Sequence, residues 1–131
     1  MTNRNKAKGD RYERDVRDFL RGRGFPGCER TRAGYERDAG DLHLDPVVGV
    51  GPGVIAQCKD HKTPNWSEFL EGLAEQIDES RAEVGFLSVK RSRPGKAPLN
   101  LFVMPLEAGV ELLRRAGYGE PLEGAPVAGA G

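Results

Sequence analysis

Two cysteines, Cys28 and Cys58, are too few for a disulfide framework in a chain of 131 residues. No CxxC or HExxH pattern marks a zinc site. No apolar run approaches the ~20 residues that span a bilayer, so no membrane partner is expected. The opening stretch, MTNRNKAKGD, lacks the apolar core of a secretory signal. A reducing, cytoplasmic setting is therefore expected. No glycine-rich loop joins a strand pattern to a helix pattern, which excludes a P-loop and a dinucleotide fold. There is no internal repeat. Net charge is zero, so overall charge does not announce a partner.

What is present suits one soluble domain with a single core: 37% hydrophobic and 31% charged residues. Charge is unevenly spread. Residues 1–32 hold ten Lys and Arg against five acids, whereas residues 67–83 hold six acids against Arg81 alone. A basic end can hold phosphate; the same runs also suit solvated helix faces with intrahelical ion pairs.

Residues 1–7 read as a loose arm. From Lys8 to Arg21, Tyr12, Val16, Phe19 and Leu20 recur on one helical face. Gly22, Gly24 and Pro26 end that pattern. CERTR (28–32) reads as a short strand and AGYERDAG (33–40) as a loop. DLHLD (41–45) alternates with period two, Leu42 and Leu44 facing one way and Asp41, His43 and Asp45 the other. Residues 54–59 form the next strand. Asn65 and Glu68 make a capping-box pattern before a helix with an apolar stripe of Phe69, Leu70, Leu73, Ala74 and Ile77. Strands follow at 85–90 and 99–104, separated by a mobile basic loop, RSRPGKAP. A last helix ends at Gly117. The expected organisation is one domain over 1–117 and a flexible tail over 118–131. The fold class is α/β, a mixed central sheet flanked by helices.

One strand carries an oddity. In VIAQCK, Val54, Ala56 and Cys58 face one way and Ile55, Gln57 and Lys59 the other. An amide and an ammonium thus share a direction at the end of an apolar run. If the preceding strand pairs with this one as a hairpin through residues 46–53, Asp41 lies near Gln57 and Lys59. Glu13 borders the apolar stripe of the first helix, where it either looks along the helix–sheet boundary or pairs with Arg17 four residues on. Carboxylate and amide oxygens suit magnesium. Such an ion activates water and offsets phosphate charge in phosphodiester cleavage, and a neighbouring lysine stabilises developing negative charge.

At these residues the chain resembles the PD-(D/E)XK nuclease superfamily. GDL (40–42) followed by QCK (57–59) looks like its signature, and KGDRYERDV (8–16) looks like its first helix. The nearest likeness is to archaeal-type and phage-encoded Holliday junction resolvases. VGFLSVKR (84–91) and LFVMPLE (101–107) resemble the last strands of the phage enzymes. The resemblance implies a restriction-endonuclease-like αβββαβ core over residues 8–90. It implies a magnesium-dependent endonuclease, with manganese able to substitute, acting as a homodimer on DNA, four-way junctions in particular. By the same resemblance Glu13 is the helix acid, Asp41 and Gln57 are metal positions, and Lys59 is the catalytic lysine. Gly40 replaces the motif's proline and Gln57 its acid, a Q-x-K form that occurs in the Mrr-like restriction branch. Asp38 is the alternative ligand. Arg32 and Arg37 lie in a segment resembling the basic loop beside the resolvase site.

The expected DNA contacts are Lys8, Arg11, Arg30, Arg32, Arg37, His61, Lys62, Arg91 and Arg93. His43 and His61 otherwise read as surface residues, Cys58 as a small core hydrophobe, and Trp66 as core beneath the second helix. Two alternatives stay open: an Mrr-like or other structure-selective nuclease, and a catalytically weak DNA-binding module.

Overall fold

The computed structural model describes residues 2–30, 42–44 and 53–121. Helix α1 (Thr2–Arg21) is followed by strands β1 (Glu29–Arg30), β2 (Leu42–His43) and β3 (Val54–Lys59), helix α2 (Trp66–Ser80), strands β4 (Val84–Arg93) and β5 (Lys96–Val103), and helix α3 (Leu106–Arg115). The strands form one mixed sheet in the order β1-β2-β3-β4-β5. Neighbours are antiparallel except β3 and β4, which run parallel and are joined through α2. The α/β class is as the sequence implies.

Each face of the sheet has its own apolar cluster. On one, Tyr12 and Val16 of α1 pack with Leu42, Leu44, Ala56 and Phe86. On the other, Phe69 and Leu73 of α2 pack with Leu87 and Val89. This division follows from the pleat: Ala56 and Phe86 are register partners, as are Gln57 and Leu87. The helices therefore cover opposite faces.

Helix α2 starts where the sequence places its cap. The Asn65 side-chain oxygen accepts from the Glu68 N–H at 3.1 Å, and the Asn65 amide donates to the Glu68 carboxylate at 3.1 Å. Gly85 lets α2 approach β4, because a Cβ there would stand 2.6 Å from Ile77 Cγ1.

Several expectations need correction. Residues 2–7 are not a loose arm: α1 begins at Thr2. RSRPGKAP is not a loop but the heart of a β-hairpin, with Arg93 opposite Lys96 and only Pro94 and Gly95 between them. Gly95 has φ +69°, which glycine adopts without steric cost. Phe19 and Trp66 are exposed rather than core. Phe19 lies under the Arg23 guanidinium, 4.9 Å away, and Trp66 meets Phe69 only edge-on. The start of the expected tail is held in place: Tyr118 N–H donates to the Leu113 carbonyl, and Arg114 donates to the Glu120 carbonyl. The rest of the tail lies outside the described residues. No helix among the described residues is long and apolar enough to cross a membrane.

Candidate functional site

The carboxyl end of β3 carries the polar pair read from the sequence. Gln57 is buried, 7% exposed, and its Oε1 has no hydrogen-bond partner among the described residues. A buried amide oxygen without a donor is costly, so this atom calls for a partner beyond the described residues. Lys59, two residues on and on the same face, sets its ammonium 5.0 Å from the centre of the Phe69 ring. Gln57 and Lys59 therefore face the α2 side, as their partners Leu87 and Val89 do.

Strand β2 approaches the same place. Leu42 pairs with Ala56 and His43 with Ile55 in antiparallel register, the hairpin pairing the sequence reading assumed. Asp41, the residue before Leu42, lies outside the described residues, as do Arg32, Arg37 and Asp38.

Glu13 is placed elsewhere. It belongs to α1, on the opposite face of the sheet from Gln57 and Lys59, and none of the described contacts joins it to them. Arg17 pairs with Asp18 instead, at 3.0 Å. Arg30 Nε donates to Glu13 Oε1, and Arg30 Nη2 reaches Asp10 at 3.3 Å. The reason is burial: the Glu13 side chain borders the apolar stripe and meets β1 before it meets solvent. Arg30 is consequently engaged by two carboxylates.

The other expected phosphate contacts divide by what they touch. Lys8 pairs with Asp60 at 3.5 Å. Arg91 Nη1 donates to the carbonyls of His61 (3.4 Å) and Lys62 (3.3 Å), tying the segment after β3 to β4. Arg93 donates to the Ala97 carbonyl at 2.8 and 3.0 Å. Among the described residues neither guanidinium has an acidic partner. Arg11, His61 and Lys62 are exposed, and His61 packs its ring 5.0 Å from Phe69. Lys59, His61, Lys62 and Arg91 thus gather where β3 and β4 end. His43 is half-buried rather than on the surface, and burial lowers its pKa against the opposing effect of Glu29. Cys58 packs, partly buried, against the α1-side cluster.

Two features were missed in the sequence. Asp60 follows Lys59, and its side chain is only 7% exposed on the Lys8 pair. The signal was available: alternation carries Ala56, Cys58 and residue 60 to the α1 face. The second is a buried hydrogen bond between Tyr12 Oη and Ser88 Oγ, 2.8 Å. Burial pushes the Tyr12 phenol up to about 12 despite that bond, with Cys58, Asp60 and Asp15 adding to the effect. Lys90 lies over the Tyr12 ring at 6.0 Å.

The chain matches no protein-family model, no curated protein and no solved structure.

Proposed function

We propose that this protein is a magnesium-dependent DNA endonuclease with a restriction-endonuclease-like core, acting as a homodimer on branched DNA in the manner of a Holliday junction resolvase. The observation that carries the reading is the orphaned Gln57 oxygen, buried beside Lys59 at the end of β3. The order α1, three strands, α2, β4 agrees with the core that the sequence resemblance implies.

The fit of a hard divalent cation rests on that oxygen. A neutral amide oxygen is an acceptable ligand for magnesium, which takes few protein oxygens and keeps several waters. Gln57 and Asp41 would hold the ion; Glu13, committed to Arg30 on the other face, is not assigned to it. When bound, the ion supplies Lewis acidity and helps generate the attacking hydroxide. Lys59 offers a fixed positive charge to the phosphate oxygens as negative charge grows on them. The Phe69 ring lies beside that ammonium, and His61 packs against the same ring. Lys62 and Arg91 present charge to neighbouring phosphates, which positions the strand without reading its sequence.

A catalytically weak DNA-binding module is the second reading. It is favoured by the engagement of the described carboxylates near the strand ends, Glu13 on Arg30 and Asp60 on Lys8.

Titration with Mn²⁺ in a calorimeter separates them. The nuclease reading predicts stoichiometric binding that is lost in Asp41→Ala and tightened in Gln57→Glu, because the second substitution adds a charged oxygen ligand. Binding unchanged by both substitutions would leave the DNA-binding module.

A further inference from the structure

Helix α3 exposes the apolar face that an amphipathic helix normally hides. At 100° per residue, Leu106, Val110 and Leu113 fall within about 60° of one another. They are 83%, 47% and 55% exposed. The inward side of the helix is already used: Ala108, Leu112 and Arg115 line a cleft of about 250 Å³ against α2. The exposed ridge is spaced four and then three residues, the spacing of a helix–helix seam.

Charge on the flank of this ridge selects the partner. Glu107 and Arg114 are seven residues apart, about 20° from each other around the helix. Neither has an oppositely charged partner among the described residues; Arg114 donates only to the Glu120 carbonyl. Residues seven apart on one flank face each other's symmetry mates when a helix pairs with an antiparallel copy of itself. The acid of each copy then meets the guanidinium of the other, and the pair forms twice. The same arrangement sets each helix's negative first turn against the other's positive last turn.

We propose that α3 is a twofold homodimer interface, with the Leu106–Val110–Leu113 ridge packed antiparallel against the same ridge of a second copy of this chain. The interface is isologous, as a C2 dimer requires. The ridge itself offers roughly 300 Å² of exposed apolar side chain, taking about 150–200 Å² for each fully exposed residue; its charged flanks and the polar surface around it supply the rest of the ~800 Å² that each partner of a standard interface buries. Nothing in this face depends on the nuclease reading.

The test uses two single variants of the full chain, Glu107→Arg and Arg114→Glu, in sedimentation equilibrium. The wild type is expected to be a dimer. Each variant alone places like charges opposite each other twice, and its dimer dissociation constant should rise by about tenfold or more. In an equal mixture, the first variant presents arginine at both flank positions and the second presents glutamate at both. A heterodimer of wild-type affinity is therefore expected, and its recovery shows that both variants fold. A third variant, Val110→Glu, should be monomeric with unchanged circular dichroism. A wild type that stays monomeric at all concentrations overturns the proposal. So does a dimer that persists through all three variants, or failure of the mixture to restore association.

Discussion

Tyr12 illustrates how much one buried hydroxyl can commit a fold to a pH range. It is 2% exposed, bonded to Ser88 across the α1–sheet boundary, and its phenol is pushed up to about 12. The proton is held more tightly in the folded chain than in the unfolded one, where the phenol titrates near 10. The stability this contributes is present below pH 10 and is lost as pH rises from 10 to about 12. Two pKa units correspond to about 2–3 kcal/mol. Tyr12→Phe should lose ~1 kcal/mol at neutral pH, because Ser88 is left without its buried partner. It should then lose less than the wild type between pH 10 and about 12. Urea unfolding midpoints of both proteins across that range check this, and parallel pH curves would contradict it. At the same scale stands Gln57, a polar residue on the apolar α2 face of the sheet. It is buried, and its amide oxygen has no donor among the described residues.

At the scale of elements, the tightest fit is between α2 and β4. Gly85→Ala would bring a methyl carbon within 2.6 Å of Ile77. The helix must shift outward or Ile77 must leave its rotamer, and a destabilisation of about 1–3 kcal/mol is expected. Thermal or urea unfolding measures it, and an unchanged midpoint would show that α2 stands further from the sheet. The start of α2 and the extent of β3 were legible in the sequence because both are local: a cap bonds within one turn, and a strand alternates with period two. The shared direction of Gln57 and Lys59 followed from the same period. What was not legible depended on distant neighbours. Periodicity grouped Phe19 with Tyr12 and Val16 but could not tell how far the sheet extends beneath it. The Pro94–Gly95 pair was read as the middle of a loop, although two residues suffice to turn the chain between strands that pair almost to their tips. Glu13 borders an apolar stripe, as expected. Which face of the sheet that stripe covers, and hence whether Glu13 can meet Gln57, is decided by how α1 docks.

On the scale of the whole molecule, the sheet separates two environments. One face holds α1 with its Arg30 and Lys8 ion pairs; the other holds α2, whose outer side carries exposed acids such as Glu71, Glu75 and Asp78. On the proposed function, nucleic acid would be repelled from that outer side and drawn to the ends of β3 and β4, where Lys59, Lys62 and Arg91 stand. Affinity for DNA should fall steeply with salt as these groups release counterions. The central claim is that this end of the sheet cleaves phosphodiester bonds in branched DNA. It is tested most directly by incubating a labelled four-way junction and a linear duplex of equal length with Mg²⁺ and either wild type, Asp41→Asn or Lys59→Ala, and mapping the cuts. The account predicts paired, symmetric nicks near the crossover by the wild type and little cutting of the duplex. For each variant it predicts a loss of at least ~10²–10³ in rate with DNA binding largely retained, since Lys62 and Arg91 still hold the strand. Wild-type turnover in either variant, or equal and scattered cutting of both substrates, would contradict it.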